Sequence, residues 1–448
     1  MPISTFSRAR FLPILLFVCS CPGFVLADPP AHLEKVNART GEEIDDLVTF
    51  YKYLHSHPEL SLQEVKTAAR LAKELRTIGF EVTEEVGGTG IVGVLKNGEG
   101  PTVLVRTDLD GLPVTEQTGL AYASKVRVRD KNNREVGVMH ACGHDVHMTV
   151  WTGAARVLAS MKDQWKGTLV FIGQPAEEVG AGARMMLADG LFKRFPKPDY
   201  CLALHANSEL EAGKLEYTFG PAMANVDTVE VIVRGKGGHG AYPHKTIDPI
   251  VLAAKMILDF QTIVSREVKP INPAVVTVGS IHGGTKANII PNEVKLQLTV
   301  RTYTDEVRKQ VLDAIQRIAE GHAKTAGAPK PSVEVDLGEF TPALVNDREL
   351  TEGTMALFRE VFGEDKVAPR EPVMGGEDFG RYGRNTGIPI LMFSLGSIDA
   401  DRVAASLKPD GLPLPSMHAS TYYPVPEPTI ETGVRAMSLA VLRLVGTE

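Results

Sequence analysis

Gly167-Thr168-Leu169-Val170-Phe171-Ile172-Gly173 runs without a charge into Gln174-Pro175-Ala176-Glu177-Glu178. The apolar run, Thr168–Gly173, reads as a strand buried on both faces, and its end presents two adjacent carboxylates. The pattern repeats on either side. Upstream, Thr102–Arg106 reads as a short strand entering Thr107-Asp108-Leu109-Asp110-Gly111, with Gly90–Leu95 another before it. Downstream, Tyr200–Leu204 is apolar and stops at His205. Amphipathic helices are predicted over Ile44–His57, Leu62–Gly79 (where Gly79 is a natural cap), Val150–Met161 and Gly182–Ala188. Alternating strands and helices argue an α/β catalytic domain, a mixed central sheet flanked by helices, with ligands in the crevice outside the strand ends.

The pattern changes near Gly220. Thr228–Arg234 alternates and is β-branched, and Gly235-Lys236-Gly237-Gly238-His239-Gly240 follows as a Gly-rich loop. Then come a helix (Asp248–Ser265), two strand-like runs (Ala274–Ile281 and Glu293–Arg301), a helix (Asp305–Ala326) and a strand (Ser332–Asp336). The order β-α-β-β-α-β is that of a small α+β sandwich domain. From Asn346 the chain returns to helix and strand and ends in a helix over Ile430–Val445. The expected organisation is therefore a catalytic domain in two parts, 28–219 and 339–448, with a smaller domain, 220–338, inserted between them.

A chain of 448 residues is too long for one small core. Charged residues at 23% and hydrophobic ones at 43% suit a globular protein. The net charge is −7 and no long basic stripe occurs, which argues against nucleic acid as a partner. At the N-terminus, Arg8 and Arg10 precede an apolar run, Phe11–Val18, and Val25-Leu26-Ala27 offers a small-residue exit before Asp28-Pro29-Pro30. That is the layout of a secretory signal peptide cut after Ala27, and it implies a secreted or periplasmic protein. A buried N-terminal helix is the alternative, but Pro13 and Pro22 suit one poorly. Cys19 or Cys21 as a lipid-anchor site is another alternative, with poorly fitting flanks. No other stretch has the roughly 18 apolar residues of a membrane span. Removal of residues 1–27 leaves 46 basic against 55 acidic residues, a mature charge of −9, and leaves Cys142 and Cys201.

Met139-His140-Ala141-Cys142-Gly143-His144-Asp145 sets a thiol and an imidazole two residues apart on a tight, Gly-containing loop. Transition metals take deprotonated S, N and O donors from short, rigid segments. A hydrolytic site also needs a carboxylate that is not a ligand, to handle the proton of water. A lone His at a strand end is ordinarily a hydrogen-bonded structural residue, adjacent glutamates are ordinarily a solvated turn, and Cys142 has a disulfide to Cys201 as its bland reading. The co-occurrence of Asp108/Asp110, Cys142/His144, Glu177/Glu178, His205 and His418 at strand or loop ends favours a metal centre.

These segments, with Gly237-Gly238-His239 and Gly375-Gly376-Glu377-Asp378-Phe379, occur in an order that resembles the binuclear metal-dependent aminoacylase and carboxypeptidase family. The nearer likeness is to its amidohydrolase branch, the hippurate and auxin-conjugate hydrolases. It extends over nearly the whole mature chain. The resemblance implies that Cys142, His144, Glu178, His205 and His418 bind metal, with Cys142 a candidate bridge between two ions. It implies that Glu177 is the general base, and that Asp108 orients an active-site neighbour without itself binding the ion. His239 becomes a donor to the tetrahedral oxyanion, delivered across a homodimer interface by the inserted domain. Asn288 and Arg301 become the grip on a substrate carboxylate, for which an amide and a guanidinium fork suit; a turn and a surface salt bridge are their structural alternatives. Many relatives have a metal-binding His where Arg106 stands, which leaves one or two ions open. Zn, Mn, Co and Ni all suit the donors. His32, His55, His57, His140, His147, His244, His282 and His322 are left unassigned, and His55 and His57 are expected to be structural or substrate-facing.

The expected activity is hydrolysis of the amide bond of an N-acyl amino acid by metal-activated water. A dipeptidase or carboxypeptidase with the same machinery is the competing enzyme. A non-catalytic binding protein on the same fold is the alternative of another class.

Overall fold

The computed structural model describes residues 32–130, 133–338, 340–384 and 386–447. The expected leader, residues 1–27 with Cys19 and Cys21, lies outside the described residues.

Eight strands form the larger sheet, in the order Glu81–Val86, Gly90–Asn97, Gly167–Gln174, Thr102–Asp108, Tyr200–Glu211, Ile390–Ile398, Leu215–Tyr217, Val367–Pro369. Its centre is parallel. Gly90–Asn97 runs antiparallel to Gly167–Gln174, and Leu215–Tyr217 antiparallel to Ile390–Ile398, so the sheet is mixed. Successive side chains leave a strand on opposite faces. Val103, Val105, Leu169 and Phe171 accordingly pack under the helices Leu33–Ser56, His144–Ser160 and Pro426–Val445. Leu104, Val170 and Ile172 enter a second core on the other face, with Met186 and Tyr382. Burial on both faces explains why these strands read as continuous apolar runs.

Asn225–Arg234, Ala274–His282, Glu293–Thr302 and Ser332–Val335 build a separate antiparallel sheet. Asn225–Arg234 alternates buried and half-exposed residues along its length. Its inner face (Val229, Val231, Val233, with Leu296 and Leu298 alongside) packs on the helices Pro249–Thr262 and Asp305–Thr325 in a core of its own. Asp248 and Thr304 cap those helices by accepting backbone N–H bonds from Ile250 and Val251, and from Val307.

Some expected bounds shift. The first helix spans Leu33–Ser56 rather than starting at Ile44, because Val36 and Thr40 continue its buried face. The helix expected over Val150–Met161 spans His144–Ser160, so His144 opens a helix instead of sitting in a loop. The strand expected to stop before His205 runs on to Glu211, which places His205 within it.

Candidate metal centre

Asp108 ends its strand and pairs in parallel register with Gln174, so the Pro175–Glu178 turn leaves the sheet beside Asp108–Asp110. Asp110 ties these segments together. Its Oδ1 accepts from Glu177 N (3.2 Å), and its Oδ2 accepts from Glu178 N (3.0 Å) and Ser61 Oγ (2.6 Å). His144 Nδ1 lies 2.8 Å from the Asp110 carbonyl. A carbonyl only accepts, so Nδ1 holds the proton and Nε2 turns a lone pair to the site. Gly143, at φ +79°, makes the turn between Cys142 and His144; a Cβ there would lie 3.0 Å from the Ala206 Cβ. His418, also left-handed (φ 67°), is joined to the same loop by its N–H on the Ala141 carbonyl at 2.9 Å.

Five expected ligands meet. Cys142 Sγ lies 3.3 Å from His418 Nε2 and 3.6 Å from His205 Nε2. Glu178 lies 3.8 Å from His144 Nε2 and 3.6 Å from His418 Nε2. Two donor triads, Cys142/His144/His205 and Cys142/Glu178/His418, each have their donor atoms within 4.8 Å of one another, and both contain Cys142. Cys142 and Cys201 are both free thiols, which removes the disulfide alternative.

The residues fit a divalent cation. His144 Nε2 and Glu178 Oε1 are buried with no hydrogen-bond partner, a costly arrangement unless a cation takes up their lone pairs. Negative charge is also in excess. Burial, then Glu377 and Glu178, raise the Glu177 carboxyl well above its ordinary range. Burial, helped by Asp110 and Asp108 and opposed by His144, pushes Glu178 up to about 7. Burial tends to lower the His144 pKa, but Asp108 and the bond to Asp110 raise it strongly. Surroundings that favour a proton on that nitrogen also favour a metal ion.

Two further groups were not assigned from the sequence. His147 lies one turn along from His144, a spacing that places both on one helix face. Its Nδ1 contacts Asp108 Oδ1 (2.8 Å) and its Nε2 accepts from Ala206 N (2.8 Å). Both nitrogens are committed, so His147 braces Asp108 and the His205 strand despite its closeness to the donors; burial lowers its pKa to about 4. Arg106, buried, reaches Asp108 (2.7 Å), Glu377 (2.8 Å) and Asp378 (3.2 Å). It thus pairs with three carboxylates at once. Asp378 is nevertheless pushed up to about 7 by burial, against Arg106 and with Glu377. His55 is structural as expected, bonded to Asp145 (2.7 Å) and Glu116 (3.1 Å).

A cavity of about 880 Å³ opens over the centre, walled by Cys142, Glu177, Glu178, His205 and His418 and, further out, by Tyr217, Met223, Val226, Leu344 and Met392. Arg301 lines it. Burial alone lowers the Arg301 pKa, with no carboxylate opposing the shift. His239 and Asn288 are not among the residues of the cavity wall. Both are exposed and adjacent, the Gly238–His239 strand pairing with Ile289–Ile290.

Known proteins resemble this chain over most of its length. Residues 104–410 match the peptidase family M20/M25/M40. The chain belongs to that family. Hippurate hydrolase of Campylobacter jejuni is 39% identical over 331 residues, 73% of this chain and 82% of that protein. Thermostable carboxypeptidase 1 of Saccharolobus solfataricus is 37% identical over 355 residues, 78% of this chain and 86% of that one. Among solved structures, the Bacillus subtilis YXEP protein, a dinuclear metal binding peptidase from the M20 family, superimposes with a TM-score of 0.73 at 30% identity. The match covers 90% of this chain and 99% of that one. This M20/M25/M40 chain is therefore a hydrolase of amide bonds that uses divalent metal, one or two ions per subunit.

Proposed function

We propose that the protein hydrolyses N-acyl amino acids, releasing a carboxylic acid and an amino acid. The observation that carries this reading is Arg301, half-buried in the cavity wall, where its guanidinium bonds neutral oxygens, Thr299 Oγ1 at 3.0 Å and the Met374 carbonyl at 3.5 Å. A guanidinium in a cleft whose bonds go to neutral oxygens keeps its charge for a substrate carboxylate, and the apolar wall suits an acyl group.

When bound, the ion supplies Lewis acidity that polarises the amide carbonyl and acidifies water. Glu177 takes the proton of the attacking water as oxygen bonds to the carbonyl carbon, then delivers it to the amine nitrogen as the C–N bond breaks. Asp110, through the Glu177 and Glu178 amides, holds that carboxylate facing the donors. Asp108 and His147 hold the His205 side of the site. His239, exposed on its strand, is assigned to the oxyanion of a partner subunit's site, and Asn288 beside it to the substrate carboxylate. The unpaired edge strand Ala274–His282 and the exposed Val251, Leu258 and Ile281 support a homodimer through this small domain.

The test is a parallel assay of benzoyl-glycine, acetyl-amino acids and dipeptides with Zn, Mn, Co or Ni returned to stripped protein. An N-acyl amino acid is expected to give the highest kcat/KM. Arg301→Ala is expected to raise KM for that acid at least about tenfold, the loss of a charge-assisted pair, and to leave KM for its primary amide unchanged. A second reading, dipeptidase or carboxypeptidase, is favoured by Glu209 and Glu371 on the cavity wall, carboxylates that suit a free α-ammonium; faster turnover of dipeptides would establish it. Metal-loaded protein inert to every substrate would indicate a binding protein.

We also propose that the protein is secreted, a reading supported by the leader-like segment 1–27. Among the described residues no helix is long and apolar enough to cross a membrane. Protein recovered from the extracytoplasmic fraction is expected to begin at Asp28 and to have twice the protomer mass by light scattering. An N-terminus at Met1, or a monomeric mass, would count against the corresponding part.

A further inference from the structure

The turn that carries Glu177 and Glu178 begins at Ala176, a fully buried residue in left-handed conformation (φ 51°). Such a conformation is strained for an L-residue and persists only where surrounding bonds enforce it. Leu62, far away in sequence, is also left-handed (φ 68°). The same atom engages both residues. Glu64 Oε1 accepts from Ala176 N at 2.8 Å and from Leu62 N at 2.9 Å. The other oxygen, Oε2, accepts from Thr89 Oγ1 at 2.6 Å. Glu64 is fully buried, and its three bonds go to three different segments of chain.

The bonds continue along the turn. Ala176 N goes to Glu64, while Glu177 N and Glu178 N go to Asp110. Three consecutive amides are thus held by two buried carboxylates from elsewhere in the chain. Ser61, three residues before Glu64, donates to Asp110 Oδ2. The 61–64 segment therefore holds the turn directly at Ala176 and, through Asp110, at Glu177 and Glu178. Below it, a Cβ on Gly182 would fall 1.6 Å from the Pro175 carbonyl oxygen, so only glycine lets the following helix start this close to the turn.

We infer that Glu64 is a positioning residue for the metal centre: by fixing Ala176 it sets where the Glu177 and Glu178 carboxylates point. The inference rests on the proposed hydrolase reading of that site. Glu64 touches neither the donor atoms nor the cavity wall, and acts through the backbone of Ala176. With its carboxylate gone, Ala176 loses the bond that offsets its strain, and the two following side chains swing with it.

The test compares Glu64→Ala, Glu64→Asp and Glu64→Gln with the unmodified chain by Zn2+ titration of stripped protein, steady-state kinetics and thermal unfolding. E64A is expected to weaken zinc affinity and to lower kcat, each by at least about tenfold, the usual cost of losing a partner behind a ligand. KM should stay within about threefold, because Arg301 is untouched. Gln keeps an oxygen for both amides, and the Thr89 hydroxyl turns to accept from its NH2, so E64Q is expected within about threefold of the unmodified chain in both readouts. A lower thermal midpoint for E64A with unchanged zinc affinity and kcat would reduce Glu64 to a structural role and overturn the inference. If E64A is recovered unfolded, E64D decides: it keeps the charge but draws the oxygens back from both amides, and wild-type zinc affinity and kcat in it would overturn the inference. An unmodified chain that neither binds zinc nor hydrolyses any substrate would remove the underlying reading as well, whereas a wild-type-like E64A in a competent chain removes this inference alone.

Discussion

Glu177→Ala is expected to lower turnover by at least about 100-fold, the lower end of what a general base contributes, while bound metal stays at the level of the unmodified chain. Glu177 and Glu178 are neighbours in sequence and face the same histidine, each 3.8 Å from His144 Nε2. Their surroundings separate their roles. Glu178 also reaches His418 and belongs to the triad with Cys142. Glu177 groups with Glu377 and Asp378, and burial with Glu377 raises its affinity for a proton. A carboxylate placed among other carboxylates is suited to accept a proton and return it. Rate and metal content, measured together, distinguish the roles. Loss of both would make Glu177 a ligand, and an unchanged rate would remove it from the mechanism. Glu177→Gln, which keeps the shape and discards the basicity, is expected to match the Ala variant in rate.

Part of this centre is legible in the sequence because its carboxylates and thiol sit just past a strand or in a tight turn. Asp108, the Glu177–Glu178 pair and the Cys142–His144 loop each follow an apolar run or turn whose period is readable locally. The Asn225–Arg234 strand is legible for the same reason, since it alternates along its length. What is not legible depends on pairings across long sequence distances. Arg106 reads only as a residue unable to bind metal, yet it neutralises Glu377 and Asp378 about 270 residues away. His147 reads as one more histidine until Ala206 N is found on its second nitrogen. Glu64 reads as a polar residue near a helix start, and its function emerges only with the left-handed Ala176 beside it. His205 was expected just past a strand and lies within one, because its strand gains a parallel partner, Ile390–Ile398, from the far end of the chain.

Cys142→Ala is expected to remove more metal, and more activity, than any other single substitution among the donors. The reason is its place in both triads: each of the other four donors belongs to one triad of the Cys142 pair, and Cys142 belongs to both. Its sulfur lies 3.3 Å from His418 Nε2 and 3.6 Å from His205 Nε2, one histidine from each triad. Removing it leaves the His144/His205 and Glu178/His418 pairs joined through His144 and Glu178, 3.8 Å apart, without the sulfur common to both. Ala fits the small, nearly buried position, so the fold is expected to survive and the loss to be read in metal content. Activity should fall by at least about 100-fold, the upper end of what loss of a mere supporting partner costs. His418→Ala makes the informative contrast. His418 has a side chain 54% exposed and belongs to one triad, so its loss should leave the Cys142/His144/His205 donors able to hold metal. Cys201→Ala controls for the chemistry of thiols in general: Cys201 lies fully buried in the hydrophobic core on the other face of the sheet and should behave as the unmodified chain. If the Cys142 variant kept its full metal content and rate, the two triads would not be one shared centre, and a site built on His144, Glu177 and Glu178 alone would have to replace it.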